Sequence, residues 1–153
     1  MRKKSHISLA KYIVDSLNEQ SLQKHKKAFY LGSILPDCKP SFLTTRHEIQ
    51  ETFDQVEEKI HRLSSGEDVK NLRVYFRDLG QVIHYVADYF TFPHNRNYTG
   101  TLRDHCTYEK RLKQSLKEYI RSGEAARNSE KARRFHSPEA ICEFIRRAHE
   151  AYM

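Results

Sequence analysis

His84 and Asp88 stand four residues apart and offer an imidazole and a carboxylate to a single point if the segment is helical. They belong to a polar stripe of Gln81, His84, Asp88 and Thr91 that spans about 80° of such a helix. Leu79, Val82, Ile83, Tyr85, Val86, Ala87, Tyr89, Phe90 and Phe92 cover most of the remaining circumference. A solvated stripe more often carries Lys and Glu, whereas His with Asp supplies ligand types that zinc favours. Alone, such a pair is more often a structural hydrogen bond, so the reading depends on what joins it.

His105 and Glu109 repeat the spacing within the apolar arc of Leu102, Cys106, Leu112, Leu116, Tyr119 and Ile120. An unpaired buried carboxylate is costly, so Glu109 is expected to meet a cation, a donor or a proton. His6 shares a face with Ala10, Ile13 and Leu17. Asp37 follows Pro36, His47 opens a helix, and His94 follows Pro93; no helical face decides the burial of these three. His6, His47, His84, His94 and His105 with Asp37, Asp88 and Glu109 provide enough donors for two or three zinc ions. His25, His61, His136 and His149 are assigned to solvent.

These side chains need a scaffold, and apolar spacing predicts helices throughout. The first covers residues 6–22, with Ala10, Ile13, Val14 and Leu17 on one face. Residues 28–35 form a short apolar segment stopped by Pro36, and a loop runs through Lys39, Pro40 and Ser41. A helix over 47–63 carries Ile49, Phe53, Val56 and Ile60, and Ser64, Ser65 and Gly66 end it. Residues 72–92 are the longest apolar segment and the predicted central helix. Pro93, Asn95, Asn97 and Gly100 mark a loop, and a helix over 102–121 closes at Ser122 and Gly123. Residues 124–134 read as a mobile surface connection. Ser137 and Pro138, an N-cap followed by proline at the first helical position, start a last helix. The expected fold is all-α, one multi-helix domain over residues 1–153.

Five glycines and four prolines in 153 residues supply little of the turn chemistry that a many-stranded sheet requires. No run approaches the roughly 20 apolar residues of a membrane span. After Met1-Arg2-Lys3-Lys4 the chain is broken by His6, Ser8, Lys11 and Asp15, so no secretion signal is expected. Cys38, Cys106 and Cys142 are odd in number and lack CxxC spacing, which points to a reducing, cytoplasmic setting. The net charge of +7, densest over residues 2–4, 24–27 and 127–134, favours an anionic partner: nucleic acid, a phosphodiester or an anionic membrane surface.

The spacings resemble those of the zinc-dependent phospholipase C and single-strand-specific nuclease superfamily. The matching residues are His6, the run Leu31-Gly32-Ser33-Ile34-Leu35-Pro36-Asp37, His47, His84 with Asp88, His94 six residues on, and His105 with Glu109. The resemblance implies an all-α fold and two to three zinc ions. One would be held by Asp37, His47, His84 and Asp88, a second by His94, His105 and Glu109, and a third by His6 with Asp88 bridging. Family members also use an N-terminal amine on the third metal. Met1 stands five residues before His6, so the resemblance makes its α-amine the candidate ligand, the alternative being a frayed basic tail over residues 1–4.

Closely spaced zinc ions activate water and neutralise charge on a leaving oxygen, so the implied reaction is phosphodiester hydrolysis, with phospholipid a better substrate than nucleic acid. Asp37 is the candidate proton acceptor. Two other readings stay open: a nuclease acting on single strands, which requires stacking aromatics beside the cluster, and a non-catalytic zinc-stabilised module with every metal position filled by protein. An HD-type phosphohydrolase requires an adjacent His-Asp pair that this chain lacks.

Overall fold

A computed structural model describes residues 1–38, 46–66, 71–129 and 133–153. Seven α-helices account for most of them, and no strand occurs among the described residues. They are α1 (Lys3–Leu17), α2 (Gln20–Gly32), α3 (Ile49–Ser65), α4 (Leu72–Tyr89), α5 (Leu102–Arg121), α6 (Glu124–Ser129) and α7 (Pro138–Tyr152). Short 3₁₀ turns at Pro36–Cys38 and Phe92–His94 carry Asp37 and His94. The expected loop through Lys39, Pro40 and Ser41 lies outside the described residues.

Helix ends follow local chemistry. The Asn71 side chain accepts the Val74 N–H at 3.2 Å to start α4, Thr101 and Asp104 cap α5 reciprocally, and Ser137 caps α7 ahead of Pro138. Gly66 closes α3 at φ 78°, a conformation that costs glycine little.

Two expected boundaries are corrected. The helix expected over 6–22 stops at Asn18, which adopts φ 45°, as asparagine tolerates better than most residues. Glu19 then accepts the N–H groups of Ser21 and Leu22, so the chain restarts as α2 and carries Lys24 to Lys27 on a helix. The surface connection expected over 124–134 begins as α6, with Ala125 buried.

The predicted central helix is central: α4 has a core on each side. Toward α3 and α7, Val82 and Tyr89 pack with Phe53, Val56, Ile60, Leu63, Cys142 and Ile145. Toward α1 and α2, Phe76 packs with Ala10, Val14, Leu22 and Phe29. The closest approach is between α2 and α4. A Cβ on Gly32 would lie 1.9 Å from the Arg77 carbonyl oxygen, and one on Gly80 would lie 2.3 Å from that of Phe29. Only glycine permits this contact, and it brings the end of α2 against the turn of α4 that holds His84.

Candidate metal centre

The polar stripe of α4 is its most deeply buried face. Gln81, His84, Asp88 and Thr91 are each at most 4% exposed. They do different things. Gln81 donates to Asp78 at 2.8 Å, in a network closed by Arg62 and Arg77, and Thr91 donates to the Ala87 carbonyl. Only His84 and Asp88 enter the cluster.

Asp88 is fully buried and stands at the meeting point of the other elements. His47 Nδ1 lies 3.0 Å from its Oδ2 and His84 Nε2 3.3 Å from the same atom. On the other side, His6 Nε2 approaches Oδ1 at 3.3 Å and the Met1 amine contacts Oδ1 directly. Burial pushes the Asp88 carboxyl up, but His47, His6, His84 and the terminal ammonium together hold it well below the usual carboxylate range.

His84 has a fixed orientation. Its Nδ1 faces the Ser33 carbonyl oxygen at 2.8 Å, an acceptor only, so Nδ1 carries a proton and Nε2 is the nitrogen turned to the cluster. That Nε2 lies 3.1 Å from His47 Nδ1 and 3.7 Å from Asp37 Oδ1, and His47 Nδ1 lies 3.8 Å from Asp37 Oδ1. Zinc bonds of 2.0–2.2 Å arranged tetrahedrally require ligand atoms about 3.3–3.6 Å apart. The separations among Asp37, His47, His84 and Asp88 bracket that value, and these donor types are those zinc takes.

A second group lies beside the first. His94 Nε2 and His105 Nε2 lie 3.6 and 3.3 Å from Glu109 Oε1. Burial raises the Glu109 acid, yet His94, the terminal ammonium and His105 bring it down to about 2. The Met1 amine joins the two groups, 2.7 Å from His94 Nε2 and 3.5 Å from Glu109 Oε1.

His6 is 2% exposed and stacked on His84 with ring centroids 3.8 Å apart. Its Nε2 makes no aligned hydrogen bond despite the nearby Asp88 oxygen. Burial lowers its pKa, against the pull of Asp88, which favours the neutral ring and a free lone pair. A buried, unpartnered ring nitrogen aimed at a carboxylate is what a metal would satisfy. All nine residues read from the sequence as metal donors, Met1, His6, Asp37, His47, His84, Asp88, His94, His105 and Glu109, therefore converge on one region.

Three expectations about the surroundings change. No residue of α5 is buried, and Leu102 is 80% exposed, so its apolar arc faces solvent more than core. His105 and Glu109 sit at a half-buried rim. Of the histidines assigned to solvent, His136 is exposed and His25 and His61 are half-buried, but His149 is 5% exposed. Its Nε2 lies 2.7 Å from Asn95 Oδ1, while the Asn95 amide donates to the Tyr89 and Thr91 carbonyls. His149 on α7 thus secures the residue after His94. A signal for this was present, since His149 falls one turn beyond Ile145 on the buried face of α7. Tyr85 packs edge-on against His47 and His84, Phe90 packs against His149 and Tyr152, and Phe92 lies on the surface against Tyr98.

A cleft of about 420 Å³ opens beside the cluster, with His47, His94 and His105 on its wall and Arg46 and Arg96 at its edge. Both arginines approach the buried Glu48 carboxylate, at 3.3 and 3.8 Å.

An all-α frame thus gathers histidines and carboxylates around Asp88 in groups that could hold metal ions, with donor types that suit zinc. The chain belongs to the zinc dependent phospholipase C family, whose model matches residues 5–153. Neither a curated protein nor a solved structure matches it.

Proposed function

We propose that this protein hydrolyses the phosphodiester bond of phospholipids and releases the head group, using two to three zinc ions. The observation that carries the reading is the convergence of nine donors, Asp88 at their centre, next to an open cleft. Asp37, His47, His84 and Asp88 hold one ion, and His94, His105 and Glu109 hold another. His6, Asp88 and the Met1 amine hold a third. When bound, zinc supplies Lewis-acid activation of water and neutralises charge on the leaving oxygen. Asp37, in the middle of its 3₁₀ turn, accepts the proton of the attacking water. Arg46 and Arg96 at the cleft edge attract and orient the anionic phosphate; their ion pairs with Glu48 keep the two guanidinium groups on the same side.

An anionic membrane surface fits the chain's +7 charge as the place where substrate is met. No helix among the described residues is long and apolar enough to cross a membrane. The three cysteines are free, in keeping with a cytoplasmic setting.

The test is a panel of phospholipid vesicles, single-stranded nucleic acid and a chromogenic phosphodiester, assayed before and after chelation. The expected result is head-group release that disappears on chelation and returns with zinc. Preferential cleavage of nucleic acid would transfer the site to a nuclease. Full zinc loading with no turnover of any substrate would leave a zinc-stabilised module.

A further inference from the structure

We propose that Glu57 and His61 of α3, with Cys142 and Glu139 of α7, form a separate zinc site that staples the C-terminal helix to α3. Donor atoms of Glu57, His61 and Cys142 all lie within 4.8 Å of one another. His61 Nδ1 lies 3.5 Å from Glu139 Oε1, which brings the fourth donor to the same spot. Tetrahedral zinc with one sulfur ligand needs separations of about 3.3–3.7 Å, so a bound ion would draw the donors in by about 1 Å.

The backbone suits this. Glu57 and His61 are one turn apart on α3, and Glu139 and Cys142 are one turn apart on α7, so each helix offers a pair from one face. Val56, Ile60 and Ile145 pack in the core beneath, and Cys142 is itself 1% exposed within that core. The inner donor is therefore anchored, while His61 and Glu139, with side chains 42% and 68% exposed, leave a path for an ion.

Charge balances as well. A thiolate and two carboxylates bring three negative charges against the two positive charges of zinc. Arg146 supplies the third positive charge, its guanidinium lying 2.7 Å from Glu57 Oε2 and held over the Phe53 ring at 4.5 Å. Without metal, burial first and then Glu57 push the Cys142 thiol up to about 11, which keeps it protonated and inert. On binding, the S–H bond breaks, the electron pair goes to the metal and the proton leaves to solvent. Four protein donors leave no open position, so the site is structural, and it is independent of the reaction at Asp88.

The experiment uses the full chain with Cys38→Ser and Cys106→Ser, so that Cys142 is the sole thiol. Cobalt loading should produce thiolate-to-metal charge-transfer absorption, and native mass spectrometry should count one more zinc in this chain than after His61→Ala. His61 is half-exposed, so that variant is expected to keep its helicity and its hydrolytic activity while showing a smaller zinc-induced rise in melting temperature than the parent. Cys142→Ser should abolish the absorption; if it fails to fold, His61→Ala decides. A cobalt-loaded chain without the thiolate absorption, or an equal zinc count in the His61→Ala protein, overturns the proposal.

Discussion

His84 is held by Ser33 across the seam between α2 and α4, with 2.8 Å from the ring Nδ1 to the carbonyl oxygen. The seam closes only because Gly80, one turn before His84, presents no Cβ to the Phe29 carbonyl. Gly80→Ala forces two backbone segments apart, and neither can yield as a flexible side chain would. The expected cost is about 3 kcal/mol, or a fall of about 6–12 °C in melting temperature for a chain of this size. Zinc affinity should drop with it, because Ser33 no longer fixes the ring. An unchanged melting temperature and unchanged affinity would show that the helices are not in this contact.

Asp88→Asn keeps the volume at the centre of the cluster and deletes the charge that the proposed ions would share. Disrupting a residue that merely orients a ligand costs about 10–100-fold in metal affinity, so losing the shared ligand should cost more. Zinc-dependent hydrolysis should vanish while circular dichroism retains the helical signal. Retention of the full zinc count in this variant would remove Asp88 from its assigned place.

Extending the chain before Met1 replaces its amine with an amide that cannot coordinate in the same way. One zinc equivalent should be lost, with the sites at His84 and His105 still filled. Equal stoichiometry in the extended and original chains would reassign the amine to an ion pair with Asp88 and Glu109.

Much of this was legible in the sequence because a polar stripe on an otherwise apolar helix has few explanations. His84 and Asp88 announce themselves in that way, and Gly66 and Ser137 mark their helix ends by well-understood local rules. What escaped was set by tertiary partners. Asn18 breaks a helix in a conformation no periodicity records. The apolar arc of α5 looks like a core face, but Leu102 is 80% exposed. His149 carries the period of a buried face, yet its burial depends on Asn95, which sits in a loop 54 residues away along the chain.

That burial has a pH signature. Burial lowers the pKa of His149 below the ordinary value of 6.5. Its contribution to stability is therefore complete above about pH 6.5 and declines as pH falls toward the folded-state value, because the unfolded chain takes up a proton that the folded chain resists. His149→Gln retains a donor for Asn95 and removes the titration. Urea midpoints at pH 7.5 and 5 should converge in the variant relative to the parent; parallel losses in both proteins would exclude His149 as the source.

Because α5 fully buries no residue, and its Leu112, Leu116 and Ile120 are only half-buried, its attachment leans on charged contacts. Arg2 reaches the Cys106 carbonyl at 2.9 Å and Glu109 at 3.5 Å, and further polar ties run through Met1, His94 and Glu109. A helix held this way opens at a lower free energy than α2 or α4, and bound cations raise that threshold. Amide exchange along α5 should then follow metal occupancy while α4 remains protected. Scarcity of zinc would unlatch one wall of the cleft and leave the rest of the molecule folded, ready to be restored when the metal returns.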